Sequence, residues 1–152
     1  MILPADYKKF TYYGRGPWEN YADRCESSFL GRYEQSTDEQ LFHYVRPQES
    51  GNKSDVRWLE LMGSEGRGIR IEGLQPLNVS AMPYRAEDLD PGVESKRQMH
   101  YSDIEPRREV VLHVDLAQRG LGGDTSWGAT PRDEYRLTDD EYSYSYIIYP
   151  IN

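Results

Sequence analysis

The stretch DVRWLELMGSEGRGIRIE, Asp55–Glu72, decides the fold class. Two runs rich in β-branched, aromatic and alternating apolar residues, Asp55–Met62 and Arg67–Glu72, flank Gly63-Ser-Glu-Gly66. That arrangement predicts a β-hairpin. Alternation puts Val56, Trp58 and Met62 on one face of the first strand, a face that needs cover. On the second strand Ile69 and Ile71 alternate with Arg70 and Glu72, the pattern of a half-buried strand.

Working outward, short runs of the same kind recur. Lys8–Tyr13 (KKFTYY) is aromatic and β-favouring, and Gly14-Arg-Gly-Pro17 is expected to stop it. The polar stretch ENYADRCESSFLGRYEQSTDEQ has little periodicity and is expected to hold at most a helical turn. Phe42–Val45 is a candidate short strand closed by Arg46-Pro47, and Gln48–Lys53 is turn chemistry. Leu77–Met82 and Val110–Leu116 are further strands, and Tyr142–Tyr149 is the last, with Tyr142, Tyr144 and Tyr146 on one face. Ala86–Leu89 can begin a helix that Asp90-Pro-Gly92 interrupts. Many short strands punctuated by Gly, Pro and Asp predict an all-β sandwich or barrel with little helix.

Composition narrows the function classes. The chain has 152 residues, enough for one domain, 1–152, with its own core. Net charge is -8, which argues against nucleic-acid and anionic-membrane partners. The single cysteine, Cys25, excludes an internal disulfide and a multi-cysteine zinc site. A lone thiol is tolerated in reducing and oxidising compartments alike, so it does not fix the compartment.

Covalent catalysis has no support: Ser126 lies in no G-x-S-x-G elbow and Cys25 has no histidine partner in sequence. His43, His100 and His113 are scattered without paired spacing, so no metal site is expected. Strand alternation puts His113 beside Val111 and Asp115, opposite Leu112 and Val114. Among 26 acidic residues, pairs such as Glu87-Asp88 and Asp139-Asp140 are most simply solvated turns. The aromatics carry more. In GLGGDTSWGATP, Gly120–Pro131, Trp127 stands among glycines and short polar residues, a loop setting suited to covering the C–H face of a sugar ring. Packing over a sheet end is an equal alternative for Trp127, and the favoured one for Trp18.

YYGRGPWENYADR (Tyr12–Arg24), YVRPQESGNKSDVRW (Tyr44–Trp58) and HVDLAQRGLGGDTSWG (His113–Gly128) stand in a recognisable order. Together they resemble the C-terminal domain of the large bacterial β-galactosidases of glycoside hydrolase family 2, from about Leu3 to Tyr149. The resemblance implies part of a β-sandwich of the galactose-mutarotase-like supersandwich class. It implies a chain that begins partway through that domain, since Met1–Pro4 resembles an interior stretch. It also implies that the two catalytic glutamates of a retaining mechanism, with an Mg2+ and a monovalent cation, belong to a preceding (β/α)8 barrel. No catalytic residue, metal ligand or bound cofactor is therefore expected in these residues, and no hydrolysis from them alone.

One contribution carries over: the residue matching the family's sugar-stacking tryptophan is Trp127. Gly122, Gly123, Asp124 and Ser126 are expected to support its loop, with Asp124 holding the turn through backbone N–H groups. Arg15, Glu19, Asp23, Arg24, Gln48, Glu49, Asn52, Asp55 and Arg57 match family positions and are read as structural, locking loops to one another or to the barrel. The implied partners are that barrel, a galactoside and further copies of the chain. The alternatives are a free-standing carbohydrate-binding module and a structural domain of subunit contacts.

Overall fold

In a computed structural model of the chain, residues 1–90, 92, 100–123 and 127–152 are described. The strands are β1 (Ile2–Pro4), β2 (Lys9–Gly16), β3 (Phe29–Ser36), β4 (Lys53–Met62), β5 (Gly68–Met82), β6 (Glu109–Asp115) and β7 (Tyr146–Ile151). All pair antiparallel in one seven-stranded sheet of order β1-β6-β5-β4-β2-β3, with β7 joined to β5. The expectation of an all-β architecture with little helix is met. Among the described residues the α-helix is one turn, α1 (Ala86–Leu89).

The β4–β5 hairpin forms where expected, closed by the Gly63 N–H to the Arg67 carbonyl at 2.8 Å. Its faces differ from simple alternation. Val56, Leu59 and Leu61 are fully buried, whereas Trp58 and Met62 are half-buried. The register breaks twice along β4, between Lys53 and Val56 and between Val56 and Trp58. Asp55 adopts φ 56° at the first break. Each break changes which face the next side chain takes. Trp58 lies instead under the Arg70 guanidinium, 4.4 Å from its ring centre, and beside Tyr13.

Two strands expected as separate runs, Arg67–Glu72 and Leu77–Met82, form the single β5. Gly73–Pro76 is its break: Glu72 faces Trp58 while Leu77 faces Val56. At that break the other edge of β5 passes from β7 to β6. β2 runs past its expected stop to Gly16, and Gly14 marks a close approach. A Cβ there would lie 2.7 Å from Val56 Cγ2.

β3 arises in the stretch expected to hold at most a helical turn. It pairs with β2 along its whole length, from Lys9 opposite Ser36 to Gly16 opposite Phe29. Its side chains are exposed or half-buried, so no alternation announces it. Phe42–Val45 is not a strand; the Phe42 and Tyr44 rings meet there at 4.6 Å. The last strand starts at Tyr146 rather than Tyr142. Before it, the Tyr144 hydroxyl donates to the Val114 carbonyl at 2.9 Å and ties the segment to β6.

Phe10 and Tyr12 of β2, Leu59 and Leu61 of β4, Ile71, Leu77, Val79 and Ala81 of β5, and Val110, Leu112 and Val114 of β6 form one buried cluster. Among the described residues no helix is long enough to roof it. The partly buried Leu3, Tyr7, Tyr33, Ile69 and Tyr146 pack against it. His113 faces away from it, as alternation predicts, and is exposed.

Candidate functional site

The first motif leaves β2 as a tight loop built on Asn20, which is fully buried. Its amide Nδ2 donates to the carbonyls of Arg15 (3.1 Å) and Trp18 (3.0 Å). Its Oδ1 accepts from the Ser54 N–H at 2.9 Å and from the Ser54 hydroxyl. A buried amide with every group paired specifies one loop geometry, which is why so small a residue organises the segment. Sequence reading quoted Asn20 inside the motif without singling it out. Trp18, expected to pack over a sheet end, is 68% exposed.

Most of the residues read as structural fall into two bonded groups, the first centred on Glu19. Glu19 is buried and accepts from Arg24, from the Tyr44 hydroxyl and, at 2.8 Å, from the Gly51 N–H. Arg24 also donates to the Tyr44 hydroxyl at 2.7 Å, and its guanidinium lies 5.5 Å from the Tyr21 ring centre. Burial and the Glu19 hydrogen bond push the Tyr44 phenol up to about 12. This cluster fastens the first motif to the second. Asn52 adds bonds to the Asn20 carbonyl (2.8 Å) and to Asn78 (3.0 Å).

The second group is Arg15, Asp55 and Arg57. Arg15 Nε donates to Asp55 Oδ2 at 2.6 Å and its Nη1 to the Ser28 carbonyl at 3.0 Å, while Arg57 donates to the Asp55 carbonyl. These bonds hold the left-handed turn of β4. Gln48 and Glu49 stand apart from both groups. Gln48 lines a shallow groove with Tyr44, Arg46 and Asp90. Glu49 lines a separate cleft with Ser80, Met82 and His113; partial desolvation raises its carboxyl, and His113 opposes the shift.

The third motif leaves β6 and forms a loop against the first. The Asp23 carboxylate accepts the Leu121 N–H at 3.0 Å and the Gly122 N–H at 2.7 Å. The Gly120 N–H donates to the Tyr135 carbonyl at 2.8 Å. Gly122 (φ 75°) and Gly123 (φ 113°) take left-handed conformations that a side chain would strain. The limbs of the loop lie close, since a Cβ on Gly122 would be 3.1 Å from the Ala129 carbonyl oxygen. Arg136 fastens the returning limb through the Pro131 carbonyl at 2.8 Å. Trp127, at the far end, is 94% exposed. Asp124 and Ser126, expected to support the turn, lie outside the described residues. Asp23, Gly122, Arg132 and Tyr135 line a small cavity of about 240 Å³ at the loop's base.

Asp23 and Arg24 are neighbours in sequence, yet each secures a different motif. Between them the three sequence motifs become one surface, with a large aromatic ring presented from it. Among the described residues no set of three or more His, Cys, Asp or Glu side chains converges as a metal site.

The sequence model of the family described as the β-galactosidase small chain matches residues 1–148. A β-galactosidase of Priestia megaterium is 36% identical over 152 residues, covering 99% of this chain and 14% of its own length. One of Halalkalibacterium halodurans is 36% identical over 140 residues, 91% of this chain and 13% of the relative. One of Streptococcus thermophilus is 32% identical over 154 residues, 100% of this chain and 14% of the relative. The chain thus spans about one seventh of the length of the curated relatives it matches. With a match along nearly every residue, this chain belongs to the β-galactosidase small-chain family.

Proposed function

We propose that this chain is an accessory β-domain of a β-galactosidase, and that it presents Trp127 to the galactoside. The observation that carries the reading is the setting of that ring. It is 94% exposed at the end of a loop whose two limbs are fastened by Asp23 and Arg136. A ring this exposed, on a base held by hydrogen bonds, suits recognition. An indole can cover the C–H face of a pyranose, burying up to about 150–250 Å² while the hydroxyls bond elsewhere. Bond cleavage belongs to carboxylates of the parent enzyme, one protonating the leaving oxygen and one attacking the anomeric carbon. We place the Mg2+ and monovalent cation outside this chain as well.

In the parent enzyme, Trp127→Ala is expected to raise KM for galactosides or for an acceptor sugar, by about 1–3 kcal/mol of lost binding. Steady-state kinetics identical to the unsubstituted enzyme would discard the role. The chain is further proposed to self-associate. Phe29, 73% exposed, and Leu30 lie on β3, whose outer edge pairs with no other strand among the described residues.

A further inference from the structure

We propose that Asp23 is the positioning residue of the Trp127 loop. The proposal rests on the reading of Trp127 given above and extends it to the group that aims the ring.

Asp23 is itself held rigidly. It sits in a turn closed by Tyr21 and Arg24, whose N–H groups donate to each other's carbonyls at 3.3 and 2.8 Å. Tyr21 is buried and Arg24 is bound to Glu19 and Tyr44, so both ends of the turn are anchored. The carboxylate then meets two consecutive N–H groups, those of Leu121 and Gly122, nearly one hundred residues further along the chain. An ionised carboxylate offers acceptors on both oxygens; an amide offers one acceptor and a donor that two N–H groups would repel.

Gly120 completes the fit. A Cβ on it would lie 2.7 Å from Asp23 Oδ2 and 2.8 Å from Tyr135 Cβ. The carboxylate and the loop base therefore occupy van der Waals contact that admits no side chain at position 120. Backbone dihedrals at Leu121 and Gly122 set the direction in which the loop leaves the sheet. Loss of the carboxylate frees these residues, and the loop carries the ring in more than one direction. Binding energy from stacking then falls, because the ordering cost is met on each encounter with sugar rather than in advance.

The experiment uses the full-length parent enzyme carrying Asp23→Ala, Asp23→Asn, Gly120→Ala, Trp127→Ala and the Asp23→Ala/Trp127→Ala pair. Amide exchange at Leu121 and Gly122 is expected to quicken by about tenfold or more in Asp23→Ala, while the Gly51 amide stays unchanged. KM for galactosides rises with kcat little changed, and Asp23→Asn falls between wild type and Asp23→Ala. Gly120→Ala, which displaces the carboxylate from the other side, raises KM as Asp23→Ala does. The double variant is no worse than Trp127→Ala alone, because both act through one ring.

Unchanged exchange at Leu121 and Gly122 in Asp23→Ala overturns the proposal. So does a double variant whose KM increase is the product of the two single effects. Should Asp23→Ala fail to fold, Asp23→Asn and Gly120→Ala decide the matter by the same two measurements. Unmoved KM in Trp127→Ala, with quickened exchange in Asp23→Ala, overturns the reading of the ring and with it the positioning role, and leaves a purely structural clamp.

Discussion

The Gly51 N–H donates to the Glu19 carboxylate at 2.8 Å, joining two loops 32 residues apart. Glu19 serves three donors from inside the protein, while its partner Arg24 remains half exposed. Glu19→Ala strands the Gly51 N–H and leaves Arg24 without its counter-charge. The expected loss is about 3 kcal/mol, at the low end for breaking a buried pair because Arg24 can regain water. Glu19→Gln keeps acceptors for two of the donors and should lose about half as much. Urea denaturation measures both, and a midpoint for Glu19→Ala equal to wild type would contradict the assignment.

Lys53 is 2% exposed, and burial pushes its ammonium down to about 8, with Glu19 opposing. The unfolded chain holds its lysine proton until about pH 10.4. Between roughly pH 8 and pH 10 the unfolded state therefore binds more protons, and stability rises with pH. Below that window both states are charged and the fold carries the desolvation cost in full, on the order of 3 kcal/mol. Above pH 10 the buried Tyr12 and Tyr21, whose phenols burial pushes up, reverse the trend. Lys53→Met should be more stable than wild type at pH 7 and show a flatter profile to pH 10. Equal slopes in denaturation series at pH 7, 8 and 9 would refute this.

Among the described residues, the buried Tyr12 and Tyr21 hydroxyls have no hydrogen-bond partner. Removing an unpaired buried hydroxyl recovers its desolvation cost and leaves the ring packing intact. Tyr12→Phe should raise stability by about 1 kcal/mol, read as a higher denaturation midpoint at constant m-value. A lower midpoint would reveal a partner for that oxygen.

Trp127 is 94% exposed, so Trp127→Ala should change stability by no more than ordinary surface substitutions do, about 0.5 kcal/mol, read by thermal denaturation. A large destabilisation would show that the ring supports the fold, and the recognition role would lose its basis.

The outer edge of β3 carries apolar side chains and pairs with no other strand among the described residues, a template for pairing with another chain. Sedimentation of the chain should show association that grows with concentration, and Phe29→Lys should weaken it. A compact monomer at high concentration in the unsubstituted chain would end that account.

The strands that local patterning made legible are those with apolar side chains at alternate positions. Val110–Leu116 and the β4–β5 hairpin are of this kind, because a two-residue period and a glycine turn are properties of neighbouring residues. β3 was hidden for the opposite reason. FLGRYEQS has no buried face, and it is a strand only because β2 lies beside it. The buried face of β4 was read one residue out of phase after Val56, since a register break is a relation between two strands and leaves no mark in one.

The site divides along the same line. In the sequence Trp127 is a large ring in a segment without apolar periodicity, for which packing over a sheet end was an equal reading; its exposure comes from the fold. The three motifs identified the family, because their order and spacing survive in linear form. Which aspartate holds the loop was a different matter. Asp124, near in sequence, was an expected support and lies outside the described residues; Asp23, 98 and 99 residues before its partners, accepts the Leu121 and Gly122 N–H groups. Short-range physics, the fit of a side chain to its own backbone, is written in the order of residues. Hydrogen-bond partnership between distant segments depends on where the sheet brings them, and only the folded chain decides that.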